Sequence, residues 1–164
     1  MKLLYYFDFW HFKETGRSIT NLTYLAWEKG PVPPQVFREI SPANTPDDLS
    51  EFLFVEENVT DEVTGNRRLD IKPKKEFNEK IFTKREIIIL KKVAEVFLEA
   101  RGEQMTDSTH LFNAPWDKTV REKGKNAIID YKLSLDSEKN SLTEEVVDEK
   151  IRLDKENREV LNSI

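Results

Sequence analysis

A chain of 164 residues is long enough for one domain with its own core, but 38% hydrophobic against 35% charged side chains is low in apolar content for that size. Part of it is therefore expected to be extended, solvated or held by a partner. The absence of cysteine excludes disulfides, thiol catalysis and cysteine-based zinc sites and is compatible with a reducing cytoplasm. A net charge of −5 is the wrong sign for a general nucleic-acid binder, and no run reaches the roughly 18 apolar residues of a membrane span.

Residues 3–15 are apolar on nearly every side, with Asp8, His11, Lys13 and Glu14 as interruptions, which predicts a central helix buried against several neighbours. Gly16 is placed to end it in the left-handed conformation. The helix starts without cap or lead-in, which suggests further residues upstream, and no small-residue cleavage site follows, which argues against a signal peptide. An aromatic, strand-like segment at 22–27 follows, and then Gly30-Pro31-Val32-Pro33-Pro34. Three prolines fix φ and remove three amide donors, so this segment is expected to be a rigid corner outside any ladder or helix interior. Pro34 opens a short helix with Val36, Phe37 and Ile40 on one face, which Pro42 ends, and residues 42–50 are expected to form a loop.

Residues 51–56 and 68–72 both carry strand patterns, and Thr64-Gly65-Asn66 between them supplies a turn, so a β-hairpin is expected. Arg67, Arg68, Lys72, Lys74 and Lys75 give the hairpin a basic patch, read as a solvated edge guarded by lysines in preference to a phosphate site. A helix is predicted over 83–100, opened by a Thr83/Glu86 capping box with a Phe82–Ile87 staple and closed at Arg101-Gly102. Ile87, Leu90, Ala94 and Phe97 form its stripe, widened by Ile89, Val93 and Val96, which places it in the core. A short helix over 105–111 follows, then another from Pro115 to Gly124, with Asp117 near its positive end. The type of the apolar segment at 127–131 stays open. Ser141 and Glu144 form a second capping box before a long charged helix reaching about residue 162, whose sparse stripe suits docking on the chain's own core better than a free appendage. These elements describe an α+β fold, predominantly helical: one domain of about six helices with a small β-hairpin or sheet and a long C-terminal helix.

Catalytic groupings are thin. Asp8 and His11 share a helix face at i, i+3, which suits half of a metal or acid–base site or, more simply, a hydrogen-bonded histidine at a core edge. A metal-dependent enzyme would need both of them with His110. Ser108-Thr109-His110 sets a hydroxyl beside a base, but no strand–turn–helix elbow surrounds it, and capping and packing are the simpler roles. No phosphate-binding glycine motif occurs. The chain is expected not to be an enzyme and to need no cofactor or metal.

Four separated motifs together resemble the Panacea domain, the SocA-like antitoxin domain of bacteria and phages. They are Lys2-Leu3-Leu4-Tyr5-Tyr6-Phe7-Asp8-Phe9-Trp10-His11; Gly16-Arg17-Ser18-Ile19-Thr20 with Tyr24 and Gly30-Pro31-Val32-Pro33; Phe82-Thr83 with Glu86; and Thr109-His110 with Trp116 six residues on. The family usually carries about ten or more residues before the Lys-Leu-Leu run. The resemblance covers about residues 2–131 and divides the chain into a Panacea-like domain at 1–131 and an acidic helical extension at 132–164, which lies outside the shared domain.

The resemblance implies a helix-rich cytoplasmic antitoxin that neutralises a co-encoded toxin by binding it directly, as a protein–protein interaction module. In the SocA branch it implies an adaptor that delivers the toxin to the ClpXP protease. Homo-oligomerisation stays open, and a DNA-binding operon regulator is the alternative that the acidic balance disfavours. Aromatic and proline residues taken to be exposed near the corner are the candidate partner-binding set: Trp27, Pro31 and Pro33, together with His110 and Trp116, although Trp116 equally suits the core.

Overall fold

The computed structural model describes residues 1–41, 48–61, 66–135 and 142–161. Apolar residues on almost every side of one helix need neighbours on almost every side, and α1 (Lys2–Thr15) has them. Tyr5 and Phe9 pack with Tyr24, Ala26, Trp116 and Ile129 in one cluster, while Phe7 packs with Ile89 and Val93 in another. Tyr6 packs against both clusters. Gly16 ends the helix at φ 76°, its N–H donating to the Phe12 carbonyl at 2.8 Å.

The corner departs from the expectation that it lies outside any ladder. β1 (Leu25–Trp27) and β2 (Gly30–Val32) form an antiparallel pair, with Ala26 opposite Pro31 and Trp27 opposite Gly30. The reason lies on the far side of β1. The Ala26 N–H donates to Ala127 O at 2.9 Å, and the Ala26 carbonyl accepts from Asn126 N–H at 2.8 Å. Both Ala26 groups thus face away from β2, so the Ala26–Pro31 pair is a non-hydrogen-bonded one and the missing proline N–H costs the ladder nothing. The segment at 127–131 is what β1 gains there: Leu25 bridges Ile128, and Ile129 N–H donates to Tyr24 O at 2.9 Å.

In α3 (Lys84–Val96) the capping box forms as expected, with Thr83 N–H donating to Glu86 Oε2 at 2.6 Å and Glu86 N–H to Thr83 Oγ1 at 3.3 Å. The helix stops at Val96, four residues before the expected end. Its buried line runs through Ile89 and Val93, while Ile88 is 66% and Val96 57% exposed. Every third or fourth position of this apolar run suits a core face, so which line faces inward is decided by the packing against Phe7. Arg101-Gly102 opens the next helix instead of closing this one: α4 (Gly102–Thr109) starts with Arg101 N–H donating to Gln104 Oε1 at 2.8 Å. α5 (Pro115–Lys123) has proline at its first turn and stops at Gly124, as expected.

A 3₁₀ turn at Tyr131–Ser134 follows. α6 (Glu144–Leu161) sets Val147 in a fully buried position and Lys150 Nζ 3.0 Å from the Thr15 carbonyl. Its capping hydroxyl is Thr143, which accepts from Val146 N–H at 3.4 Å; the expected cap Ser141 lies outside the described residues.

Residues 34–81 make one compact unit, and residues 1–33 with 82–164 make another. The first holds the short helix α2 (Pro34–Ile40), with Ile40 buried, and the expected hairpin, β3 (Leu53–Asp61) with β4 (Asn66–Pro73). The strands are longer than their sequence pattern, and residues 64–65 of the expected turn and 42–47 of the expected loop lie outside the described residues. The basic patch is held within the hairpin. Arg68 pairs with Asp70 at 2.8 Å and Lys72 with Glu56 at 2.7 Å, while Lys74 and Lys75 lie over Phe54 and Phe52. The described residues thus form an α+β fold, predominantly helical, with six α-helices and two two-stranded antiparallel sheets.

Candidate functional site: an anchored corner and an apolar groove

Asp8 is fully buried, and its carboxylate binds the turn after α1. Oδ1 accepts from Ile19 N–H and Thr20 N–H, each at 2.9 Å. Oδ2 accepts from the Thr20 hydroxyl and, at 2.8 Å, from Tyr24 OH. Burial and then the Asp8 charge push the Tyr24 phenol far above its usual range, so it stays a neutral donor. His11 does not join Asp8. Its Nδ1–H donates to the Arg17 carbonyl at 2.7 Å, which ties down the other end of the same turn. No set of three metal-capable side chains gathers among the described residues.

Downstream of that anchor, Gly30 lies at φ 115°. A Cβ there would sit 2.9 Å from both Lys2 Cε and Thr109 Oγ1, and 3.8 Å from His110 Nε2. The six-residue spacing from His110 to Trp116 brings the two rings face to face, centroids 3.6 Å apart and 17° between planes. Trp116 Nε1–H donates to the Trp27 carbonyl at 3.0 Å, which fixes the indole to the β1–β2 hairpin. His110 Nε2 is buried without a hydrogen-bond partner among the described residues.

Burial, then the Lys2 charge, lower the His110 pKa from 6.5, with Asp107 opposing. The unfolded chain therefore takes up this proton first. The stability that His110 contributes is complete above about pH 6.5 and is lost as the pH falls below it. Thermal melts from pH 7 to 5 are expected to show a falling Tm, with a smaller fall in His110→Phe, which keeps a ring on Trp116. Equal slopes in the two proteins would assign the effect elsewhere.

Beside this cluster, a groove of about 820 Å³ opens between α1, the end of α3, α4, the start of α5 and the 3₁₀ turn. Tyr6, Trp10, Phe97, Leu111, Leu133 and Leu135 give it an apolar lining, and its charged lining residues are Lys13 and Lys118. Its polar wall is internally satisfied, because Tyr6 OH donates to Ser108 Oγ at 2.8 Å and Ser108 Oγ donates to Met105 O at 2.9 Å. Neither Ser108 nor Thr109 caps a helix from its start. Both lie in the last turn of α4, and Thr109 Oγ1 likewise donates back to Thr106 O.

A family model described as the antitoxin SocA-like Panacea domain matches residues 1–117. The chain belongs to the SocA-like Panacea domain family. Membership supports a toxin–antitoxin role in general, and the matched span carries the Asp8 anchor, the Gly30 corner and the His110–Trp116 stack. Neither the curated proteins nor the solved structures yield a match. Among the described residues, no helix is long and apolar enough to cross a membrane.

The five residues singled out in the sequence as partner-binding are placed unevenly in this Panacea domain. Trp27, Pro31, His110 and Trp116 come together around the corner, with Pro33 just after β2. Pro31 and Pro33 are fully buried and Trp116 is buried, so the prolines are not the exposed surface they were expected to be. Trp27 and His110 are half-buried. Two features escaped the sequence reading. Asp8 is the hub of a hydrogen-bond network, for which its position in an otherwise apolar helix was a visible signal. The groove had none, since its lining residues are spread from Tyr5 to Leu135.

Proposed function

We propose that this chain is an antitoxin-type protein-binding module that neutralises a co-encoded toxin by direct complex formation. The observation that carries the reading is the match to the antitoxin family over residues 1–117, which spans α1 to the first turn of α5. The chain acts in the cytoplasm by occupancy rather than by catalysis. Trp27 and His110 offer partner-facing edges, and Pro31, Pro33 and Trp116 hold them in place. The Panacea-like domain is assigned to residues 1–131, a boundary supported by Tyr131 OH, which donates to Leu22 O at 2.7 Å. Residues 132–164 form an acidic extension that selects among partners.

The test is co-expression with the adjacent gene in a bacterial host. That gene alone is expected to arrest growth, this chain to restore it, and the two products to co-purify. A harmless neighbour, or one that stays lethal beside this chain, overturns the reading. Following toxin levels with and without ClpXP separates simple sequestration, with steady toxin, from delivery to the protease.

A further inference from the structure

The geometry points to the groove beside α1 as the seat of an amphipathic helix of the toxin, one that carries carboxylates along the edge of its apolar face. This deepens the antitoxin reading and rests on it. Four properties of the groove select that occupant.

The first is its lining. Trp10, Phe97, Leu133 and Leu135 face a space of about 820 Å³, enough for several side chains and hence for the successive anchors of one helix face. The second is the state of its polar groups. A small-molecule pocket turns a few convergent polar groups on its ligand. Here Tyr6 OH and Ser108 Oγ are committed to each other and to Met105 O, so little is left to orient a small polar ligand.

The third is the backbone. Its lining residues belong to helices, to the 3₁₀ turn, to the capping positions Phe97 and Leu135, whose N–H groups bond Val93 O and Lys132 O, and to the loop between α4 and α5. In that loop Ala114 N–H bonds Leu111 O at 3.0 Å and Asn113 N–H bonds Asp117 Oδ2 at 2.9 Å. The groove thus offers no strand edge on which an extended peptide could pair. A helix arrives with its own backbone satisfied. The fourth is charge. Among the described residues of the lining no carboxylate occurs, and Lys118 in α5 supplies the positive charge on which the match rests, although the chain as a whole is at −5. An apolar helix flanked by Asp or Glu is matched to such a groove, and one flanked by Lys or Arg is repelled.

At the margins, Val96 is 57% and Leu111 64% exposed, so both can be changed without disturbing the core. Val96→Glu and Leu111→Glu would place a carboxylate against the apolar, acid-flanked helix, and Lys118→Glu would reverse the charge match. Ile88→Glu, at an equally exposed position outside the groove lining, is the control. The full-length chain and its variants would be titrated with the purified product of the adjacent gene, after melts confirm that each variant folds.

Each groove variant is expected to weaken binding at least tenfold, with Ile88→Glu within about twofold of wild type and wild-type affinity falling as salt rises. A photo-crosslinking benzoylphenylalanine at position 111 is expected to capture a helical, carboxylate-bearing segment of the toxin. Wild-type affinity in all three groove variants, or a crosslink to a strand, a loop or a basic segment, overturns the groove assignment and leaves the antitoxin reading standing. A wild-type chain that neither binds nor neutralises the toxin removes both.

Discussion

Asp8→Ala is expected to lower the unfolding free energy by about 3–5 kcal/mol, a large fraction of the stability of a domain this size. The carboxylate serves two backbone N–H groups and two hydroxyls, from Ile19, Thr20 and Tyr24. Removing it leaves those donors without their acceptor, at about 1–3 kcal/mol for each group left fully unpaired. Asp8→Asn keeps one acceptor oxygen and is expected to lose less. Tyr24→Phe removes a single donor and is expected to cost about 1 kcal/mol. Thermal or urea melts of the three variants should rank Ala, then Asn, then Phe. An alanine variant that melts within about 2 °C of wild type would show that the turn after α1 is held by something else.

Gly30→Ala is expected to cost about 2–4 kcal/mol while leaving the toxin affinity of the folded protein within a few-fold of wild type. Two effects add. A φ of 115° is strained for any L side chain, and the new methyl group would meet Thr109 Oγ1 at 2.9 Å. The Lys2 side chain, at the same distance, can swing aside, but Thr109 is buried and its hydroxyl is bonded to Thr106 O at 2.8 Å. Melting curves give the stability loss, and titration with the toxin well below the melting temperature gives the affinity. Normal melting with lost binding would make the corner itself a contact surface, contrary to its role as scaffold for Trp27 and His110.

The sequence reading and the structure part company where the governing interaction is not local. Proline is incompatible with a ladder only when its nitrogen faces the partner strand, and the sequence of the corner does not say which way Pro31 faces. Its nitrogen does not face β1 here, because Ala26 spends its backbone groups on residues 126 and 127, about a hundred positions away. The i, i+3 spacing of Asp8 and His11 left a shared site open beside the simpler reading of a hydrogen-bonded histidine at a core edge, and the simpler one holds: His11 bonds to Arg17, while Asp8 bonds to residues 19–24. Helical periodicity places two side chains on one face; it does not say which loop will fold back to meet them.

What the sequence determined by itself is the set of local decisions. Gly16 and Gly124 stop helices at positive φ, Thr83 and Glu86 open one by mutual hydrogen bonding, and Pro115 starts another where its missing N–H goes unused. Each of these is settled within four residues, so it can be read without knowing the fold. The four-motif pattern that marks the Panacea domain was legible for the same reason. Only the tertiary structure decided that the corner pairs as β1 and β2, that Asp8 fastens the turn beneath it and that His110 stacks on Trp116. It also decided that α1, α3, α4, α5 and the turn at Tyr131–Ser134 leave a groove with two lysines. Those outcomes depend on which distant segments compete for the same buried surface around α1, and packing resolves that competition only when the whole chain is in place.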